Sequence, residues 1–289
     1  MSEFDITVVV PTFKSEKVIG QCLQSILSQS GAETEIVVID GASPDNTLAI
    51  VHSFKTAKIN VISEPDRGVY DAINKGVARS RGRMIGVLGS DDVYCEGTLA
   101  TVKDNMRQGS GIIAGLTEID GVIRADEPYG QTSLISGIPF GHNSMFASRE
   151  TYDKVGFYDL NYRICADAQW VHRAIKADIP CLKVERTFVR FGTGGLSSTN
   201  PDEIMAEAYR VIQENFPFLT MTEAKQIMYA YRKWGGQDAL PDLMQKYRMH
   251  SKFVETMRDA FPTIGSAAPA TTSANLFHKI STYLMRRIS

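Results

Sequence analysis

The sequence predicts an α/β protein with a mostly parallel central sheet flanked by helices, and with a helical extension at its carboxyl end. Two observations lead to this prediction. Short runs rich in Val and Ile alternate with longer segments whose apolar residues recur every three or four positions, as in amphipathic helices. Each early strand run is followed by a turn and then by a helical segment. That order is typical of parallel strands joined by right-handed crossovers.

The first third of the chain repeats this unit. We predict strands at residues 6–10, 35–40, 59–63 and 84–88, with helices opening near Val18 and Thr47 and a third helix over residues 69–79. Pro44 suits the first turn of the second helix, where its missing N–H is not needed. Because parallel strands point the same way, their carboxyl ends line one edge of the sheet. These ends fall near Pro11, Asp40, Ser63 and Ser90.

The fourth strand is followed by two adjacent carboxylates, Asp91 and Asp92. Open α/β sheets bind ligands beyond the carboxyl ends of their strands. Neighbouring unneutralised carboxylates repel each other, so they favour a cation between them and a second anion. On these residues alone, an Asp-rich turn without a ligand is the alternative. Asp40 and Asp66 follow two other strands, and acids at so many strand ends are hard to attribute to helix capping alone.

The pattern is less regular after a helix predicted over residues 97–108. Next we predict strands at 112–116 and 122–123, a strand at 145–147, a helix at 149–155, a helix that carries Asp167 and runs to about Lys176, and a strand at 182–191. The glycine-rich residues 192–198 are predicted to form a loop, either a lid over a ligand or a plain connector. Helices are expected from residue 202 onward.

Composition and motifs exclude several classes of protein. A net charge of −2 argues against a nucleic-acid-binding protein. The four cysteines are widely spaced, as expected of reduced thiols in a cytosolic protein. We expect neither a signal peptide nor a membrane-spanning segment. Neither GxGxxG nor GxxxxGK[ST] follows the first strand, so a nucleotide would have to be held by strand-end side chains and a metal.

Six motifs in a fixed order carry a resemblance to a known family. They are residues 9–13, 39–47, 64–76, 86–92 and 142–146, and Gly156-Phe157 followed by Asp167. Over about residues 5–200 the chain resembles the family 2 glycosyltransferases with the GT-A fold, specifically the small enzymes of bacterial surface-polysaccharide assembly. The QxxRW motif of the family's processive members is absent, so the resemblance implies one sugar transferred per turnover.

The resemblance implies a nucleotide-diphosphate-sugar donor, of the UDP type, and a glycan or lipid-linked acceptor. The residues implied in nucleotide-sugar binding are Pro11, Thr12, Asp40, Asp66, Arg67 and Asp91. Asp92 would hold the cofactor, Mn2+ or Mg2+, in a DXD-type element whose first acid is replaced by Ser90. Asp91 would contact the ribose or share the metal.

Asp167 corresponds to the family's acceptor-side acid and would be the general base of an inverting displacement. The alternative for Asp167 is a helix N-cap. The family's usual acidic pair is absent here, since Cys165 and Ala166 precede Asp167. His142, Gly194 and Gly195 are candidates to reach the acceptor or a phosphate. For His142 the alternative is a turn or core residue.

The predicted domain organisation places a transferase domain at residues 1–200. Its nucleotide-binding half covers 1–110 and its acceptor half covers 111–200. A helical extension (201–261), a flexible linker (262–274) and an amphipathic C-terminal helix (275–289) follow. This last helix is basic on one face, so it would either contact an anionic membrane surface or pack on this domain or on a second copy. The expected location is the cytoplasm, at the inner face of the membrane if that helix binds lipid.

Two other functions stay open from the residues. One is a nucleotide-sugar-binding module without transferase activity. The other is a sugar-nucleotide pyrophosphorylase, which would need a glycine-rich basic loop directly after the first strand. Residues 11–15 are not such a loop.

Overall fold

The computed structural model describes residues 4–107, 109–124, 127–192 and 201–262. The chain divides into two compact units, one ending at Gln237 and one beginning at Asp238. Among the described residues, the first unit contains a nine-stranded sheet. Its neighbouring strands are, in order, β3 (Ile59–Ser63), β2 (Thr34–Asp40), β1 (Ile6–Thr12), β4 (Met84–Val87), β8 (Met145–Ser148), β6 (Ile112–Ile119), β9 (Cys181–Phe191) and β5 (Val93–Tyr94), and β7 (Val122–Ile123) pairs with β6.

The first four strands are parallel, as the sequence predicts. They are β1 (Ile6–Thr12), β2 (Thr34–Asp40), β3 (Ile59–Ser63) and β4 (Met84–Val87), and they alternate with helices α1 (Ile19–Leu27), α2 (Thr47–Ser53) and α3 (Val69–Arg79). Every residue of β1 and β2 is buried, which is typical of parallel strands covered on both faces. The register places Thr12 beside Asp40 and Asp40 beside Ser63, so the predicted edge of strand ends is confirmed.

Helix α3 packs closely on this sheet because Gly76 lacks a side chain. A Cβ on Gly76 would lie only 2.3 Å from a methyl carbon of Val9 in β1. Tyr70 and Ile73 on the same helix are buried, which matches the three- and four-residue spacing of its apolar positions. The helix bounds agree with the prediction from sequence.

The remaining strands extend the sheet with mixed directions. They are β5 (Val93–Tyr94), β6 (Ile112–Ile119), β7 (Val122–Ile123), β8 (Met145–Ser148) and β9 (Cys181–Phe191). Strand β8 runs antiparallel to both β4 and β6, whereas β9 is parallel to β6. Asp120 and Gly121 join β6 to β7 with φ angles of 50° and 77°, the backbone of a tight hairpin.

Three helices accompany these strands: α4 (Thr98–Asn105), α5 (Arg149–Val155) and α6 (Ala166–Lys176), with 3-10 turns at Gln131–Ile135 and His142–Ser144. Helix α4 ends three residues before the predicted bound of 108. The strand pair β4–β8 is close because Gly86 faces Phe146, where a Cβ would lie 2.5 Å from the ring.

Two further helices, α7 (Pro201–Asn215) and α8 (Met221–Tyr231), belong to the first unit, and α8 opens with a capping box formed by Thr220 and Glu223. The second unit contains α9 (Leu240–Lys246) and α10 (Ser251–Ala260). Within the described ranges, no helix combines the length and the apolar character that crossing a bilayer requires. The predicted domain bounds stay predictions, and the C-terminal helix predicted at 275–289 lies outside the described residues.

Candidate functional site

The site begins at the ends of β1 and β2, where two buried polar atoms have no partner in the described part of the chain. Thr12 is 5% exposed and Asp40 is fully buried. One carboxylate oxygen of Asp40, Oδ2, accepts hydrogen bonds from the Ser43 N–H (3.0 Å) and the Ser63 hydroxyl (2.6 Å). Among the residues that the structure describes, its other oxygen, Oδ1, and Oγ1 of Thr12 have no hydrogen-bond partner. Buried polar atoms are nearly always paired, so these two mark a place where a polar ligand would bond.

The turn after β3 brings Asp66 against Gly41, which directly follows β2. A Cβ on Gly41 would lie 2.6 Å from Oδ2 of Asp66, so only glycine allows this approach. The other oxygen of Asp66 accepts a hydrogen bond from the Gly68 N–H at 2.9 Å. Pro11, also predicted in this site, is a buried residue of β1 beside Ile39. Phe13 directly follows β1 and is 55% exposed, so it offers an apolar surface next to these polar groups.

Arg67 and Lys75, the basic residues of the Asp66 turn and α3, are both engaged by acids. Arg67 Nη2 lies 3.3 Å from Asp71 Oδ1, and the Arg67 side chain is 76% exposed. Lys75 Nζ lies 3.1 Å from Glu64 Oε1 and donates to the Pro65 carbonyl at 2.9 Å. Arg67 would therefore have to exchange Asp71 for a phosphate, and its predicted role stays a prediction.

Asp92 lies in the turn that follows β4 and is fully buried. Its Oδ1 accepts a hydrogen bond from the Gly192 N–H at 2.7 Å, and its Oδ2 accepts one from the side-chain amide of Asn143. Burial raises the pKa of Asp92 to about 7, with the neighbouring charge of Asp91 acting in the same direction and the Gly192 hydrogen bond opposing it. Burial also raises the pKa of Asp91.

The Asp91–Asp92 pair suits a hard divalent cation. No Lys or Arg forms an ion pair with either carboxylate in the part of the chain that the structure describes. Nor do the described residues contain a cluster of three or more His, Cys, Asp or Glu that could enclose a metal by themselves. Mg2+ is commonly held by one or two carboxylates, with substrate phosphates and waters completing its shell. The carboxylates of Asp91 and Asp92 are oxygen ligands of this kind, so the residues present fit such an ion.

Asn143 connects Asp92 to a second acidic group through its neighbour His142. His142 Nε2 lies 2.9 Å from the hydroxyl oxygen of Tyr158. Burial lowers the pKa of His142, and the charge of Asp167 opposes that shift, which puts the Asp167 carboxylate within electrostatic reach of the imidazole. The 3-10 turn at His142–Ser144 thus joins the surroundings of Asp92 and Asp167.

Asp167 is the second residue of α6, and Cys165 occupies the N-cap position. The alternative that Asp167 is the N-cap is therefore wrong. One of its oxygens, Oδ1, accepts a hydrogen bond from the next N–H of the helix, that of Ala168, at 2.8 Å. Tyr70 of α3 donates its hydroxyl to the Ile164 carbonyl just before this helix, and the charge of Asp167 also acts on Tyr70.

The structure adds residues for which the sequence predicted no role. Asn143, Tyr70 and Tyr158 contact or surround the predicted acids. Asn143 and Tyr70 lie within the family motifs, which was the available signal, but their partners are far away in the chain. Gly194 and Gly195, candidates for acceptor or phosphate contacts, lie outside the described residues.

The mixed sheet, with its parallel β3-β2-β1-β4 half and acids at the strand ends, has the GT-A fold. The chain belongs to glycosyl transferase family 2, because residues 7–164 match the model of that family. The fold class and the resemblance predicted from sequence are confirmed, and the family makes the chain a transferase.

Two curated relatives have names that refer to biosynthesis, and one of them is named a glycosyltransferase. The chain is 27% identical over 243 residues to a "PGL/p-HBAD biosynthesis glycosyltransferase" of Mycobacterium bovis, covering 79% of this chain and 90% of the relative. It is 38% identical over 89 residues to the "Succinoglycan biosynthesis protein ExoO" of Rhizobium meliloti, covering 30% of this chain and 26% of that protein.

Solved structures share the fold at low identity. TarS of S. aureus in complex with UDP-GlcNAc has a TM-score of 0.63 at 18% identity, covering 90% of this chain and 81% of that one. The mannosyltransferase PcManGT of Pyrobaculum calidifontis, in complex with GDP-Man and Mn2+, has a TM-score of 0.60 at 15% identity, covering 97% and 81%.

Proposed function

We propose that this chain transfers one hexose from a nucleotide-diphosphate sugar of the UDP type to a glycan or lipid-linked acceptor, with inversion and with a divalent cation, in bacterial polysaccharide biosynthesis. The observation that carries the proposal is the pair of unpartnered buried atoms, Thr12 Oγ1 and Asp40 Oδ1, on the sheet edge that also carries Asp91 and Asp92. A polar ligand with its own negative charge and a cation would satisfy both features.

At the donor end, Thr12 and Asp40 would hydrogen-bond the nucleotide. A hydroxyl and a carboxylate at adjacent strand ends offer one donor and further acceptors, which suits the N–H and C=O groups of a base. Asp66 above Gly41 adds a second carboxylate for the base or diphosphate side, with Pro11 and Phe13 as apolar neighbours. The binding of UDP-GlcNAc by the structurally similar TarS supports a UDP-type donor.

Asp92, with Asp91, would hold Mn2+ or Mg2+. A bound divalent cation neutralises the charge that develops on the departing diphosphate. Asn143 and Gly192 fix the direction of the Asp92 carboxylate through their hydrogen bonds. The Mn2+ in the complex of the P. calidifontis mannosyltransferase supports this choice of cofactor.

At the acceptor end, Asp167 would accept the proton of the attacking hydroxyl. The acceptor oxygen forms a bond to the anomeric carbon while the bond from that carbon to the diphosphate oxygen breaks. The nucleoside diphosphate leaves with the electron pair of the broken bond, and the acceptor's proton goes to the Asp167 carboxylate. Attack from the face opposite the leaving group inverts the anomeric centre. Such general-base assistance contributes about 10²–10⁴-fold in rate.

The test is Asp92→Asn, assayed by release of nucleoside diphosphate from UDP-glucose, UDP-GlcNAc and GDP-mannose with p-nitrophenyl glycosides as acceptors and Mn2+ present. We expect a loss of about a thousandfold, since several kcal/mol of charge stabilisation depend on this carboxylate. Asp104→Asn, at an exposed position of α4, is the matched control and should keep full activity. Near-normal release by folded Asp92→Asn would remove the metal-site assignment. Donor binding by the wild type without any release would favour a silent binding module.

A further inference from the structure

The amino terminus of α6, which carries Asp167, lacks a cap of its own. Cys165 at the N-cap makes no capping hydrogen bond, and its thiol instead lies 3.5 Å from the Ile204 carbonyl oxygen. Thiols are weak acceptors, so the usual capping interaction is not available at this position. The backbone N–H groups that lead into the helix, at residues 163–165, are bonded by an acceptor from elsewhere in the chain.

Glu207, in the middle of α7, supplies that acceptor. Its Oε1 accepts a hydrogen bond from the Arg163 N–H at 2.7 Å. Its Oε2 accepts from the N–H groups of Ile164 at 2.9 Å and Cys165 at 2.8 Å. Three successive backbone N–H groups thus converge on one carboxylate, an arrangement that favours an anion and forms strong, charge-assisted hydrogen bonds.

The same face of α7 holds the preceding loop at two more points. Arg210 donates to the Asn161 carbonyl at 2.9 Å, and its guanidinium lies 3.7 Å from the ring centroid of Tyr162. Positions three residues apart lie on one side of a helix, so Glu207 and Arg210 hold the backbone that leads into Asp167 from a single face of α7. Glu203, one turn before Glu207, pairs with the exposed side chain of Arg163 at 3.1 Å, whereas Glu207 holds the Arg163 backbone.

We propose that Glu207 is a positioning residue for Asp167, which makes α7 a part of the acceptor site. This inference rests on the proposed function, in which Asp167 accepts the acceptor's proton. Asp167 follows the three bound N–H groups by two residues, so their position sets where its carboxylate lies. A misplacement of about 1 Å in a catalytic group can cost about 10²-fold in rate. The donor contacts at β1, β2 and β4 do not involve Glu207.

The test variant is Glu207→Gln in the full chain. It keeps the size of the side chain but replaces one acceptor oxygen by an NH₂ group that cannot accept a hydrogen bond. Glu203→Gln is the matched control, because it makes the same change one turn earlier on the same helix and removes only an exposed ion pair. If Glu207→Gln does not fold, Glu207→Asp, which keeps the charge on a shorter side chain, takes its place in both measurements.

The first measurement is hydrogen exchange of the amides of residues 163–165, which needs no activity. We expect exchange about tenfold faster or more in Glu207→Gln, since charge-assisted hydrogen bonds are lost, and no change in Glu203→Gln. Unchanged exchange in Glu207→Gln overturns the inference, whether or not the chain transfers sugar.

The second measurement is nucleoside-diphosphate release from the same donors and p-nitrophenyl acceptors. We expect Glu207→Gln to lower kcat about 10²-fold with an unchanged donor KM, and Glu207→Asp to recover part of that loss. In an Asp167→Asn background, Glu207→Gln should cause no further loss, because it acts through Asp167. Additive losses, or a change confined to donor KM, overturn the positioning role. Wild-type protein that releases nothing counts against the proposed function alone.

Discussion

At the ends of β1 and β2, two buried polar atoms have no partner among the described residues, whereas the buried His172 of α6 is bonded to distant parts of the chain. Thr12 Oγ1 and Asp40 Oδ1 represent the first kind. His172 represents the second, with Nε2 2.7 Å from the Gly137 carbonyl oxygen and Nδ1 2.8 Å from the side-chain amide of Asn215. The strand ends thus keep hydrogen-bonding capacity for a ligand, whereas His172 uses both ring nitrogens to bond other segments of the folded chain.

This difference predicts that substitutions in the two regions fail in different ways. Changes at the strand ends should affect donor binding and leave the fold intact or more stable. Changes around α6 should affect turnover or stability and leave donor binding intact.

The largest expected effect is that of Asp167→Asn. We expect transfer to fall by about 10²–10⁴-fold, because the amide cannot take the acceptor's proton. Donor affinity, measured by calorimetry with UDP-glucose, UDP-GlcNAc and GDP-mannose, should stay unchanged. Retained transfer would remove Asp167 as the base, and lost donor binding would mean that the two regions are not separate.

The second prediction concerns the stability of the α6 region in acid. Burial, opposed by the hydrogen bond to Gly137, lowers the pKa of His172 from 6.5 to about 4. The unfolded chain therefore binds a proton below about pH 6.5 that the folded chain refuses. The stability that neutral His172 contributes is complete above pH 6.5 and is lost as the pH falls toward 4, by about 3 kcal/mol in total.

Urea unfolding of wild type and His172→Asn at pH 7 and near pH 4 measures this contribution. The variant should lose less stability between the two pH values than the wild type does. His52→Asn, at an exposed position of α2, is the control and should behave as the wild type. An equal loss in wild type and His172→Asn would contradict the prediction.

The smallest expected effect is that of Thr12→Val. It distinguishes the strand ends from the α6 region most clearly, because stability and donor binding should change in opposite directions. Removing an unpartnered buried hydroxyl should raise the free energy of unfolding by about 1 kcal/mol and weaken donor binding about tenfold. Thr7→Val on the same strand is the matched control. The Thr7 hydroxyl donates to Glu35 at 3.0 Å and accepts from the Gly82 N–H at 2.8 Å, so its loss should destabilise the fold without affecting the donor.

Urea unfolding of the two Thr→Val variants measures whether the free energy of unfolding rises or falls. Calorimetry with the donors measures whether donor binding weakens. If Thr12→Val destabilised the protein as Thr7→Val does, the hydroxyl of Thr12 would have a partner within the folded chain. The proposal that the Thr12 hydroxyl is left free to bond a ligand would then be wrong.

The sequence by itself determined the parallel half of the fold and the residues at its edge. The bounds of β3 and α3 agree with the prediction, and Thr12, Asp40 and Asp92 lie near the strand ends where the pattern predicted them. The physical reason is that apolar periodicity, turns and crossover handedness act over short stretches of chain.

Only the tertiary structure decided what surrounds the acids. Asn143 reaches Asp92 across 51 positions of sequence, and Glu207 reaches the Cys165 N–H across 42. No local pattern marks such partners, because a side-chain amide or carboxylate is equally compatible with solvent until the packing of distant elements brings a partner to it. The sequence therefore identified the acids. The packing of α6, α7 and the His142–Ser144 turn determined which groups contact and position them.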